Sequence, residues 1–348
     1  PSYPPAQVLQ EHLAARTRLF QTAQYTEIAG IPELRSSLSI HMNKVYNGNT
    51  SLNNVLISSG CNQAYCLTIM ALAKAGDEII LPEPYYFNHL MWLEMLGIKA
   101  KLMPFKPDQN GMPNPNDAER LLTKKTKAIV LISPNNPTGA IYPPDMIASF
   151  YELARDRKIA LIIDETYKDF LGNIQPHYLF QKKQWEETFI QIYSFSKVFS
   201  LTGYRVGSII AGDKTINSIT KIMDTLAICA PRISQDAALF GLTNLSNWVS
   251  EKQHIIKKRC DFVQESFQSE DMNFELVSCG AYFAYIKHPF IELSARQAAM
   301  KLVKQANILC LPGTFFGPNQ EHFLRIAFAN ANIEELKLVK ERLKKYAS

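Results

Sequence analysis

Tyr193-Ser194-Phe195-Ser196-Lys197-Val198-Phe199-Ser200-Leu201-Thr202-Gly203-Tyr204-Arg205-Val206-Gly207 is the stretch on which the reading of the chain turns. An apolar run over 189–193 leads into it and another over 206–211 leads out. Both are short, rich in β-branched residues and bounded by turn formers, which predicts two buried strands. Between them lies a lysine among small hydroxyl residues, with Arg205 eight positions on. A cation between apolar strands is expensive to bury without a partner or a reaction. Lysine is the amine that forms Schiff bases, and burial lowers its pKa toward that role. This stretch alone leaves a second reading open, an ordinary lysine in a surface loop.

Composition narrows the class. At 348 residues the chain can bury a sizeable core and is expected to form two domains. The apolar fraction of 47% and charged fraction of 20% are those of a soluble globular protein. The net charge of +5 comes without a polybasic block, so no nucleic-acid partner is expected. No apolar run approaches a membrane span, and no membrane association is expected. No signal peptide is visible, although the chain begins at Pro1 without a methionine, so the natural start is expected to be missing. Cys61, Cys66, Cys229, Cys260, Cys279 and Cys310 are scattered, with no CxxC pair and no clustered histidines. That pattern predicts a reduced, cytoplasmic protein without a metal site.

Working outward toward the N-terminus, a strand at 160–163 ends in Asp164-Glu165-Thr166-Tyr167. An acid at the carboxyl end of a buried parallel strand sits where open α/β sheets bind ligands. Asp164 could instead be a helix N-cap, and Glu165 alternates to the other side of the strand. A strand at 127–132 precedes Ser133-Pro134-Asn135-Asn136-Pro137-Thr138-Gly139, a rigid turn. Cis peptides are expected before Pro137 and Pro84, both in turns of this kind. A strand at 78–81 precedes Pro82-Glu83-Pro84-Tyr85-Tyr86-Phe87-Asn88-His89, in which His89 reads as structural rather than catalytic. A strand at 55–58, then Ser59-Gly60-Cys61-Asn62, then a helix over 64–75, would offer free backbone N–H groups to a phosphate. Pro1 to Pro5 is proline-rich, 6–24 reads as helical, and a helix starts at Pro32 after the turn that follows Tyr25.

Beyond residue 212 the pattern is helical, broken at Pro231, with one or two helices over 234–268. Strands are expected at 274–277 and 281–286, a helix at 294–306 and a strand at 323–328. Arg325 is the single charge in that last strand. A buried guanidinium calls for a bidentate anion, either a substrate carboxylate or an acid of the protein.

Ser194, Lys197, Gly203 and Arg205, with the other motifs in order from Tyr25 to Arg325, resemble the aspartate aminotransferase family of pyridoxal phosphate (PLP) enzymes, class I/II, fold type I. The resemblance implies an α/β fold: a large domain with a mostly parallel seven-stranded sheet between helices, and a smaller α+β C-terminal domain. The expected division is an N-terminal segment 1–24, a large domain 25–255 and a small domain 256–348. Lys197 would be the Schiff-base lysine. Asp164 would face the pyridine nitrogen, Tyr167 and Asn136 the phenolic oxygen, and Tyr86, rather than Tyr85, the ring. Gly60, Cys61, Asn62, Ser194 and Arg205 would hold the phosphate, completed by Tyr25 of a second subunit in a homodimer with shared active sites. Arg325, with Asn136, would take the α-carboxylate of an amino acid whose amino group passes to a 2-oxo acid.

The sequence departs from the family at two places. Cys61 stands where a small or hydroxyl residue is usual. Ala230 stands where dicarboxylate-specific members carry an arginine, with Arg232 two places away. Together with Tyr85, Phe315 and Phe316, this points to aromatic or other apolar amino acids. A lyase or synthase on the same scaffold, or a non-catalytic PLP-sensing domain, is the alternative.

Overall fold

The computed structural model describes residues 3–346; Pro1 and Ser2, which open the proline-rich stretch, and Ala347 and Ser348 lie outside the described residues. The larger sheet has seven strands: β1 (Val55–Ser58), β2 (Glu78–Pro82), β3 (Lys99–Met103), β4 (Thr126–Ile132), β5 (Ala160–Asp164), β6 (Phe189–Ser194) and β7 (Gly207–Ile210). Their order is β1-β7-β6-β5-β4-β2-β3. Neighbours from β3 through β6 run parallel, and β7 runs antiparallel to both β6 and β1. β1 therefore points the same way as β6.

These strands are near-continuous apolar runs because both faces are covered; β1, β2, β5 and β6 are buried along their whole length. β3 is the exception and escapes a residue-based reading. It lies at the edge, reads Lys-Ala-Lys-Leu-Met and is mostly part-exposed, the lysine-blunted form of an edge strand.

Several boundaries move for identifiable reasons. The helix expected over 64–75 runs Cys61–Leu72, because Gly60, at φ 82°, turns the chain out of the strand and serves as its N-cap. The segment expected to be helical over 6–24 is a helix only over Gln7–Arg16, followed by a single 3₁₀ turn, Phe20–Ala23. Residues 234–268 hold two helices, Arg232–Asn244 and Ser246–Ser266, which meet at Leu245. The peptides before Pro84 and Pro137 are cis as expected, and so is the one before Pro134.

A second sheet contains β8 (Glu275–Gly280), β9 (Phe283–Lys287), β10 (Leu311–Pro312) and β11 (Phe323–Ile326), all antiparallel, in the order β10-β11-β9-β8. β9 starts at Phe283 rather than 281 because Ala281 takes a left-handed turn at φ 46°. One apolar core packs around the larger sheet and includes Leu9 and Leu13 of the first helix. A second forms under the smaller sheet, with Ile256 and Val263 of helix Ser246–Ser266 and Leu336 and Leu343 of helix Ile333–Lys345. Tyr167 and Phe170, just beyond β5, insert into that second core. Among the described residues no helix is long and apolar enough to cross a membrane, and no group of three or more His, Cys, Asp or Glu could hold a metal ion.

Candidate active site

β1, β2, β4, β5 and β6 all end at one edge of the sheet, and the turns that follow them carry the residues singled out in the sequence, as open α/β sheets require. They surround a cavity of about 190 Å³. Cys61, Asn62, Tyr86, Asn136, Asp164, Tyr167, Ser194, Lys197 and Arg205 line it, as do Ile132, Thr166, Ser196 and Thr202, which the sequence did not mark. Tyr85 is buried outside the cavity and donates its backbone N–H to the Phe316 carbonyl. Tyr25 stands apart, outside the cavity and 79% exposed.

Lys197 sits in the one-turn helix Phe195–Val198, which starts where β6 ends. Ser194 caps that turn, its Oγ accepting from the Ser196 N–H at 3.2 Å, a local bond that fixes the chain just before the lysine. Burial, then the positive charges of Arg205 and Arg325, lower the Lys197 pKa below its ordinary value. No carboxylate lies within ion-pair distance of its amine among the described residues. The amine is therefore biased toward the neutral, nucleophilic form. Its Nζ lies 5.9 Å from the centre of the Tyr167 ring.

Asp164, the last residue of β5, is buried. Its Oδ1 accepts from the Thr166 N–H at 3.0 Å and from the Cys61 thiol at 3.5 Å. Oδ2 lies 3.3 Å from His89 Nε2. Burial pushes this carboxyl up, but His89 and the Thr166 bonds together outweigh it and hold the pKa below the usual carboxylate value. The anion thus persists in a site that would otherwise neutralise it. His89 stacks on Tyr65 with ring centres 4.0 Å apart. It is structural in that it orients an acid; it sits on the helix that follows Tyr86, and nothing in its local spacing pairs it with Asp164. The Cys61 thiol, far from being a passive substitution, is pushed well up by its burial and by Asp164, and stays protonated as a donor.

The residues fit a phosphorylated cofactor. Helix Cys61–Leu72 has no side-chain cap, which leaves its first N–H groups open toward an anion. A Cβ at Gly60 would collide with the Arg205 guanidinium, so only glycine lets that side chain lie over the turn. Arg205 takes the left-handed conformation, φ 53°, and donates to the Thr202 carbonyl at 2.8 Å. An arginine over an uncapped helix start is an arrangement that could hold a phosphate.

Arg325 lies on β11, beside rather than within the cavity lining. It donates to Asn136 Oδ1 at 3.0 Å, and its guanidinium lies 4.6 Å from the Phe283 ring centre and 5.1 Å from that of Phe316. Its Nε has no partner, and among the described residues it forms no ion pair. The alternative expectation of an acid partner within the protein is not met. Arg232 does have one: it shares the buried Asp236 with Arg16, both at 3.2 Å. Ala230 is fully buried.

Fold and pocket together define an α/β protein whose cavity, at the carboxyl ends of the parallel strands, sets a lysine and a buried carboxylate beside an uncapped helix start and an arginine. The family model for aminotransferase class I and II matches residues 4–343. An aspartate aminotransferase of Pyrococcus horikoshii is 28% identical over 309 residues, which cover 88% of this chain and 79% of that protein. An aromatic aminotransferase of Arabidopsis thaliana is 26% identical over 330 residues, covering 93% and 82%. The solved structure of an aspartate aminotransferase from Thermotoga maritima superposes with a TM-score of 0.91 at 27% identity, covering 99% of this chain and 89% of that one. The chain belongs to the class I and II aminotransferases; it is a PLP-dependent transaminase of fold type I.

Proposed function

We propose that the enzyme takes an aromatic or other apolar amino acid as amino donor, at a site shared between two subunits. The observation that carries the reading is Arg325: a half-buried guanidinium with an unpartnered Nε, no carboxylate partner among the described residues, and aromatic rings on its flanks. It suits an α-carboxylate, while the rings favour an apolar side chain. Arg232, two places from Ala230 in sequence, is already paired with Asp236 and so is not free for a side-chain carboxylate. A dicarboxylic donor is the second reading, favoured by the relatives named as aspartate aminotransferases.

Bound PLP supplies an electron sink that stabilises negative charge at the substrate Cα. The chain's own residues do the rest. Lys197 would hold the cofactor through its amine and would be the base that moves the substrate Cα proton. Asp164, oriented by His89, Thr166 and Cys61, accepts from the pyridine N–H. Asn136 and Tyr167 would hydrogen-bond the phenolic oxygen, and Tyr86 would pack on the ring. Gly60, Cys61 and Asn62 through their backbones, with Ser194 and Arg205, hold the phosphate, and Tyr25 of a partner subunit completes it. The high exposure of Tyr25 in one subunit supports that last assignment.

We further place the division between large and small domains at 255/256, within helix Ser246–Ser266, and the enzyme in the cytoplasm. The test is a panel of amino acids scored by conversion of the bound cofactor to its pyridoxamine form. Phenylalanine, tyrosine and leucine are expected to outpace aspartate; aspartate fastest would select the second reading.

A further inference from the structure

The six cysteines are all free, but two of them meet. Cys260, on helix Ser246–Ser266, and Cys279, on β8, place their sulfurs 3.6 Å apart. A disulfide needs about 2.0 Å, so bonding requires the two part-exposed side chains to turn toward each other. Nothing in the transaminase chemistry uses them. Both line a cavity of about 540 Å³, separate from the active site, between the segment after Lys168, helix Ser246–Ser266 and the end of β8. The cavity is open to solvent, and a small peptide in it would meet Gln253, whose amide donates to the Asp169 carbonyl, His254, and Lys257, ion-paired with Asp261 at 2.7 Å.

β8 is the outer strand of its sheet, and Cys279 on it borders the cavity. The residues after it lead straight to the catalytic loops. Gly280 packs so tightly on Gly139 that a Cβ would collide with the Gly139 carbonyl. Ala281 makes the left-handed turn, and the Tyr282 hydroxyl donates to the Lys197 carbonyl at 3.4 Å.

We propose that Cys260 and Cys279 form a reversible disulfide within the chain by exchange with a small peptide disulfide of the glutathione class that enters this cavity, and that the bond restrains the Gly280–Ala281–Tyr282 turn against the active site. Either thiol can be the first nucleophile, since the two sulfurs are in contact and either can donate to the other; with Cys260 first, its thiolate is the attacking species. The Cys260 thiolate displaces one thiolate from the small disulfide and leaves a mixed disulfide. Cys279 then gives up its proton and attacks the Cys260 sulfur, which expels the second small thiol. Two protein thiols are oxidised and one disulfide is reduced to two thiols, with no further oxidant.

The test treats the PLP-loaded protein with oxidised glutathione, then maps thiols and cross-links by mass spectrometry and follows turnover. The chain is expected to lose two of its six thiols to a Cys260–Cys279 link. Turnover should fall several-fold and return with dithiothreitol. Cys279→Ser should stop at a glutathione adduct on Cys260, and the double variant Cys260→Ser/Cys279→Ser should keep its turnover in the oxidant. The cross-link is read independently of the transaminase reaction. Retention of all six thiols, a wild-type chain that stops at the mixed disulfide, or a complete cross-link with unchanged turnover would each overturn the proposal.

Discussion

Two consecutive acids at the end of β5 are both buried and both face a histidine, yet only one belongs to the active site. Asp164 has His89 at 3.3 Å and Glu165 has His177 at 3.2 Å. Glu165 lies on the other side of the strand and is closed off by protein: the Tyr46 hydroxyl donates to it at 2.8 Å, and Gln191 donates as well. Asp164 has donors of its own but also borders the cavity that Lys197 lines. The acid–histidine pair by itself therefore says nothing about function. What separates the two is the open side, on the face where the carboxyl ends of the parallel strands converge.

The sharpest way to break this comparison is to remove each charge in turn. Asp164→Asn should lower turnover by about 10²–10³-fold, the scale of losing one preorganised electrostatic partner of the reacting group, with thermal stability little changed. Glu165→Gln should keep turnover near wild type and lose about 1–3 kcal/mol of stability on urea unfolding, since it disturbs a buried hydrogen-bonded network. A Glu165 variant that is stable but inactive would erase the distinction.

A smaller effect concerns the lysine across the cavity. Capture of PLP, followed by absorbance, should rise with pH through a midpoint below the ordinary lysine value of 10.5, because burial and two guanidinium groups disfavour the ammonium. Arg325→Gln removes one of those positive charges, so its midpoint should move up. An unmoved midpoint would mean that Arg325 is not felt at Lys197.

Glu83 supplies the contrasting case, a buried acid whose Oε1 has no hydrogen-bond partner among the described residues. Burial raises its pKa from 4.5 to about 7. Between those values the folded chain holds a proton that the unfolded chain has released, so this contribution to stability is complete at the acid end and is lost as pH rises through about 7. Urea midpoints measured across the window should fall with rising pH in the wild type and flatten in Glu83→Gln.

Much of this site was legible because its residues sit at punctuation. Most lie at or just beyond the end of a short apolar strand, beside glycine, proline or hydroxyl residues, so position along the chain reports position at the sheet edge; Arg325, within β11, is the exception. Contacts made across elements were not legible. His89 and Cys61 come from two different helices to one carboxylate, and no spacing within either helix encodes that meeting. The Glu165 network likewise joins Tyr46, His177 and Gln191 across long separations. β3 was missed because an edge strand with two lysines in five residues lacks the apolar signature of its neighbours.

The central claim is that Lys197 holds the cofactor. The direct measurement is borohydride reduction of the PLP-loaded protein, proteolysis and location of the pyridoxyl group by mass. The account predicts a single modified peptide carrying it on Lys197, and none in Lys197→Ala; a pyridoxyl group fixed on any other lysine, or on none in a folded and saturated sample, would contradict it.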